Sequence, residues 1–175
     1  MEHFRARVAS SVGDWGVEGT DRALTRIYMP GEAFRVTRNA SRVVADVAEQ
    51  LARYFDGTQR EFRVTFDDVG ATDFQRDVWN ALIAVPYGET RTYGEIAAAV
   101  GRPRAMRAVG NANHANPWPI LVPCHRVVAA NGLGGYGGGL DVKRYLLTLE
   151  SHSQGGAPAG RCDAPESSRC DQRKR

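Results

Sequence analysis

The sequence predicts an α+β chain, and three observations carry that reading. Short β-compatible runs cut by glycine turns open the first half. Two helix-opening caps, each followed by apolar residues at helical spacing, dominate the second. A late apolar stretch, Ile120 to Val128, is interrupted by cysteine, histidine and arginine side by side.

In order along the chain, Arg5–Ala9, Trp15–Glu18 and Ala23–Tyr28 are split by Gly13-Asp14 and Gly19-Thr20-Asp21, the spacing of a small antiparallel meander. Pro30-Gly31 ends it. From Ser41 to Phe55, Val43, Val44, Val47, Ala48, Leu51, Tyr54 and Phe55 recur with helical period, and Gly57 supplies a stop. Phe62 to Phe66 alternates as a half-buried strand. This half, residues 1–70, reads as scaffold.

Thr72-Asp73-Phe74-Gln75 has the form of a capping box and opens a helix with Phe74, Val78, Trp79, Leu82 and Ile83 inward, ended by Pro86-Tyr87-Gly88. Thr92-Tyr93-Gly94-Glu95 is a second such box, opening a short helix through Val100. After Gly101-Arg102-Pro103, a third helix is expected from Arg104 to about Ala115. Two short helices around a glycine turn make a helix-turn-helix pattern. Leu140–Glu150 is the last helix, with Val142, Tyr145, Leu146 and Leu149 inward. A second domain over residues 71–151 follows. Residues 152–175, rich in Gly, Ser, Pro and Arg, are expected to form a disordered tail.

Composition narrows the setting. The first nineteen residues contain no apolar core of a signal peptide, and no run approaches the length of a membrane span. Three cysteines, Cys124, Cys162 and Cys170, suit a reduced, cytoplasmic location better than a disulfide scaffold. The net charge of +3 is unevenly spread: residues 1–90 carry a net −3 and residues 91–144 a net +5. The basic segment also holds Cys124, which fits a polyanionic partner such as DNA.

Within the Ile120–Val128 stretch, Pro123 breaks regular strand pairing and lets the next residue be presented outward. Cysteine attacks as thiolate, which an ordinary thiol forms only in small part at neutral pH, and a neighbouring histidine raises that fraction. Successive strand residues face opposite ways, so Cys124 and His125 would need a bent backbone or a bridging water to exchange a proton. Glu150 could orient the imidazole from behind. Tyr93, Arg107 and Asn116 belong to the same half. Gly132 to Gly137 matches a dinucleotide fingerprint, yet no second strand or acidic ribose partner follows it, so no cofactor is expected. His114, Cys124 and His125 lack metal-ligand spacing, and no metal is expected.

Residues from about Phe62 to Glu150 resemble the O6-alkylguanine-DNA alkyltransferases (methylated-DNA–protein-cysteine methyltransferases). The resemblance lies in Phe74 to Trp79, Val85 to Thr90, Tyr93 to Ala97, Arg107 to Gly110, Asn116-Pro117, Ile120 to Val128 and Gly135 to Leu140. It implies an RNase H-like N-terminal domain and a winged-helix-like, mainly helical domain bearing the helix-turn-helix. It also implies a direct, irreversible, stoichiometric transfer of the alkyl group from O6-alkylguanine in duplex DNA to Cys124, by a monomer. Acceptance of O4-alkylthymine stays open.

By the same resemblance, His125 takes the thiol proton through a water, Glu150 fixes its tautomer, and Asn116 steadies the turn beneath the cysteine. Tyr93 presses the DNA backbone and donates to guanine N3, and Arg107 fills the gap left by the flipped base. The main-chain carbonyls of Cys124 and Val127 accept the guanine amino group, and Tyr136 and Gly137 cover the pocket. Arg104, Ala105, Ala108, Asn111 and Ala112 fall on the helix expected against the minor groove. Residues 1–71 hold no cysteine and only His3, so the zinc site of some relatives is not expected. Gly137 stands where serine is common, and Met106 is bulkier than the small residue expected there. The competing readings are a non-catalytic, alkyltransferase-like DNA-binding protein, a helix-turn-helix regulator and a cysteine hydrolase.

Overall fold

The computed structural model describes residues 2–67 and 70–152. Three strands form an antiparallel meander in the order β1 (Phe4–Ser10), β2 (Gly13–Gly19) and β3 (Leu24–Tyr28), with Val8 opposite Trp15 and Val17 opposite Ile27. Val8, Trp15, Val17, Leu24 and Ile27 are buried, and helix α1 (Arg42–Phe55) covers the sheet with Val44, Val47, Leu51 and Tyr54. Ser41 caps α1 by accepting from the Val44 N–H, which satisfies one of the orphan donors of the first turn.

Phe62 to Phe66 departs from its expected strand. Its residues alternate between half-buried and exposed, as a strand's would, but it meets the sheet at only one parallel bridge, Leu24 to Phe66. The Gln50 side chain explains the rest. Its carboxamide accepts from the Arg63 N–H (2.9 Å) and donates to the Arg63 carbonyl (3.2 Å), taking the bonds a neighbouring strand would have made.

Both capping boxes form. Thr72 opens α2 (Asp73–Ile83), and Thr92 opens α3 (Tyr93–Ala99), each with reciprocal bonds to the side chain three residues on. Helix α4 (Met106–His114) starts two residues later than expected, because the chain turns through Arg102–Ala105 first. Helices α2, α3 and α4 pack on one another through Val78, Leu82, Ile96, Ala97, Val109 and Ala112. A two-residue strand β4 (Arg91–Thr92) pairs in parallel with β5 (Val127–Val128), and α5 (Leu140–His152) closes the chain against the turn before β5. The expected tail lies outside the described residues, save His152 at the end of α5.

Two hydrogen bonds tie the first half to the second: Ile27 N–H donates to Pro117 (2.8 Å), and the Tyr54 hydroxyl donates to Glu150 (2.7 Å). Among the described residues, no helix is long and apolar enough to cross a membrane.

Candidate active site

Cys124, His125 and Arg126 form a single 3-10 turn rather than a strand. Pro123 starts it and Val127 N–H closes it on the Cys124 carbonyl, so the backbone bend that a Cys-His pair requires is built in. Ile120 takes a left-handed φ of 76°, unusual for a β-branched residue, and it is held there inside the core.

Cys124 is 8 % exposed and lies on the wall of a cavity of about 350 Å³. Tyr93, Gly110, Asn113, His114, Pro119, Tyr136 and Gly137 contribute to the same wall. Asn116 sits under the thiol. Its amide nitrogen donates to the Val122 carbonyl (2.8 Å) and to Cys124 Sγ (3.3 Å), and its oxygen accepts from Trp118 N–H (3.0 Å). Burial pushes the thiol pKa up. Asn116, the main-chain N–H groups of Cys124 and His125, and the charge of Lys143 all oppose that rise without cancelling it. At neutral pH the resting side chain is therefore a thiol.

Behind the cysteine is a buried ionic cluster centred on Glu150. Its Oε1 pairs with His125 Nε2 (2.8 Å) and accepts from Arg126 Nη2 (2.9 Å) and the Tyr54 hydroxyl (2.7 Å). Its Oε2 accepts from Arg126 Nε (2.9 Å) and Gly88 N–H (3.0 Å). Burial alone would raise the Glu150 pKa, but the bonds and charges of His125 and Arg126 outweigh it and hold the carboxyl far below its ordinary range. Burial lowers the His125 pKa despite Glu150 beside it, so the ring is neutral at pH 7. An ionised Glu150 can only accept, so Nε2 carries the ring proton. Nδ1 is left as the basic nitrogen, and it is buried without a protein partner among the described residues.

Lys143 is fully buried, and its ammonium donates to the carbonyls of Val127 (2.6 Å), Leu133 (2.5 Å) and Gly135 (3.1 Å). It thereby staples the glycine-rich loop to the end of the cysteine turn. Gly134, at φ 68°, lies where a Cβ would come within 3.0 Å of the Tyr93 ring, so that ring and the loop need glycine there. Burial, and secondarily Cys124, raise the Tyr93 pKa and keep its phenol protonated. The Tyr136 hydroxyl is buried, with its pKa held well up by burial and by Cys124.

The helix pair borders the cavity mouth. Arg107 is exposed on α4, beside a shallow depression shared with Tyr93, Gly110 and Gly135. Arg104 and Asn111 are also exposed, while Ala105 and Ala108 are half-buried. Ala112 departs from the expectation. It is 2 % exposed in the seam beneath α4, where its carbonyl accepts from Trp79 Nε1 (2.9 Å), so it offers nothing to an outside partner. Val127 is likewise fully buried and not part of the cavity wall, with its carbonyl engaged by Lys143. Sequence reasoning missed Arg126, Lys143, Tyr54 and Met29. Arg126 lay inside the Pro-Cys-His-Arg motif and could have been found there, whereas the other three had no local signal.

Fold and site together define a class: a small α+β protein with a helix pair on its basic segment and a thiol in a cavity at the edge of that pair. Residues 73–152 match the family model described as the 6-O-methylguanine DNA methyltransferase, DNA binding domain. The chain is 49 % identical over 148 residues to a methylated-DNA–protein-cysteine methyltransferase of Mycolicibacterium paratuberculosis, covering 82 % of this chain and 89 % of that protein. A namesake from Methanosarcina acetivorans is 57 % identical over 106 residues, 60 % of this chain and 67 % of that protein. The crystal structure of Mycobacterium tuberculosis O6-methylguanine methyltransferase is similar at a TM-score of 0.78 and 42 % identity, over 91 % of this chain and 97 % of that one. The same organism's protein in complex with DNA matches at 0.76 and 45 %, over 89 % and 96 %. The chain belongs to the methylated-DNA–protein-cysteine methyltransferase family.

Proposed function

We propose that this protein repairs DNA directly, moving the alkyl group of O6-alkylguanine in a duplex irreversibly onto Cys124. The single observation that carries the reading is the thiol on the wall of a cavity whose mouth is bordered by the helix pair, with a buried imidazole and carboxylate behind it. A base within a duplex hides its O6 substituent, so it must be turned out of the stack, at a cost of a few kcal/mol. Exposed Arg107 is suited to fill the gap, and Arg104 and Asn111 to contact the backbone. The half-buried Ala105 and Ala108 allow close approach to the minor groove. A cavity of about 350 Å³ is in the range of small-molecule sites.

In the reaction, His125 Nδ1 takes the thiol proton through a water, and the thiolate attacks the alkyl carbon. The new S–C bond forms as the C–O bond breaks. Guanine leaves as a poor leaving group unless its charge is met by a proton, and the protonated Tyr93 phenol is the donor suited to N3. The net change moves the thiol hydrogen to guanine and the alkyl group to sulfur. The thioether has no hydrolysable bond, so each molecule acts once. Tyr136, Gly137 and the Cys124 carbonyl would bound the base.

The chain divides near residue 70 into an RNase H-like scaffold and a winged-helix-like catalytic domain, and it works as a cytoplasmic monomer. Incubation with duplex bearing O6-methylguanine, followed by intact mass measurement, tests this reading. One methyl added per chain, absent in Cys124→Ser, is expected. Guanine restored with no gain in protein mass would instead reveal hydrolysis. No change in either would leave an alkyltransferase-like binding protein.

A further inference from the structure

Among the described residues lining the cavity, Met29 alone comes from the first half of the chain. It stands at the end of β3, where Met29-Pro30-Gly31-Glu32 makes a tight turn with proline second and glycine third at φ 91°. The turn is unusually well held. Glu32 N–H donates to the Met29 carbonyl (3.1 Å), Met29 N–H donates to Glu32 Oε2 (2.6 Å), and Arg26 pairs with Glu32 Oε1 (2.6 Å). Two residues back, Ile27 N–H is bonded to Pro117, next to the Asn116 that supports the thiol. The Met29 backbone is thus fixed relative to Cys124, while its thioether side chain keeps three rotatable bonds.

That side chain lies against the glycine-rich loop. A Cβ on Gly137 would stand 3.2 Å from Met29 Cε, and one on Gly138 would stand 2.9 Å from Met29 Sδ. The thioether therefore occupies the room that side chains at 137 and 138 would take. Met29 and Gly137 thus share the wall of the cavity that holds Cys124.

We infer that Met29 is the residue that limits the size of the alkyl group this protein accepts: a pliable stopper, supplied by the N-terminal half, on the wall of the cavity that holds Cys124. The inference rests on the alkyl-transfer reading and adds to it the determinant of substrate range. A methyl group leaves Met29 undisturbed. A benzyl group needs the thioether to change rotamer, and the fixed turn prevents the backbone from retreating with it. One methylene gained or lost in an apolar site changes discrimination by about tenfold or more.

The experiment compares rates of transfer to Cys124 from duplexes carrying O6-methylguanine and O6-benzylguanine, read by intact mass, for the natural protein, Met29→Ala and Met29→Phe. The benzyl-to-methyl ratio should rise about tenfold in Met29→Ala and fall in Met29→Phe. The ratio, rather than either rate, isolates selectivity from any general loss of packing. A ratio unchanged in the variants that fold overturns the inference while methyl transfer stands, and Met29→Phe alone decides if Met29→Ala does not fold. Absence of methyl transfer by the natural protein overturns both this inference and the function on which it rests.

Discussion

Residues 1–90 are net acidic and residues 91–144 net basic, and a buried carboxylate just past the basic range, Glu150, is bonded from both. On the basic side, Glu150 is gripped by His125 and Arg126. From the acidic side, Tyr54 of α1 donates to the same oxygen that His125 engages. The first half thus supplies a donor to the site's anchor and, through Met29, part of its wall. The basic half presents Arg104, Arg107 and Asn111 exposed on and beside α4, while behind the thiol both oxygens of Glu150 are buried and paired. On the proposed function, the contrast teaches that charge for approaching DNA and charge for the chemistry are kept apart. The first is exposed and adjustable, and the second is sealed and costly to disturb.

The largest effect that sharpens this contrast is on Glu150. Glu150→Ala leaves the Arg126 guanidinium buried without its bidentate partner, and stability should fall by about 3–5 kcal/mol in denaturant unfolding. A loss near zero would mean that the cluster is wetter than its burial implies. On the exposed side, Arg107→Ala should leave the fold intact and slow duplex repair roughly tenfold or more, with little change in reaction with free O6-benzylguanine. Equal losses on both substrates would remove Arg107 from base extrusion. Tyr54→Phe deletes one of three partners of Glu150 Oε1 and should cost about 1–2 kcal/mol, measured the same way.

Acid offers a gentler probe of the sealed side. Both His125 and Glu150 have pKa values below their ordinary ones in the fold, so the unfolded chain binds more protons than the native one at acid pH. Stability should be at its full value above the ordinary histidine value of 6.5. It should fall as the pH drops through the histidine range, then fall further below the ordinary carboxyl value of 4.5. In Glu150→Gln the second decline should be reduced. A stability profile rising toward acid would contradict the assignment of a neutral imidazole beside an ionised carboxylate.

Much of the frame was legible because its signals are local. Thr72 with Gln75, and Thr92 with Glu95, announce helix starts within four residues, and both form as written. The meander shows in its glycine turns, and the proline before Cys124 shows where the strand must bend. What escaped was set by distant partners. Lys143 looks like a surface cation, since nothing in the sequence says that three carbonyls will meet it in the interior. Tyr54 has the spacing of an ordinary core residue, and its bond to Glu150 spans 96 positions. Phe62 to Phe66 alternates correctly, but Gln50, from another element, takes the hydrogen bonds its ladder needed. Ala112 shares a helical stripe with Ala105 and Ala108, yet Trp79 from α2 seals it in.

The most direct test of the central claim is a titration. A fixed amount of protein is given rising excesses of O6-methylguanine duplex, and the lesions repaired are counted at completion. The account predicts a plateau at one lesion per molecule, with the methyl mapped by peptide mass to Cys124. Repair that keeps rising with added substrate, or a methyl found elsewhere, would contradict it.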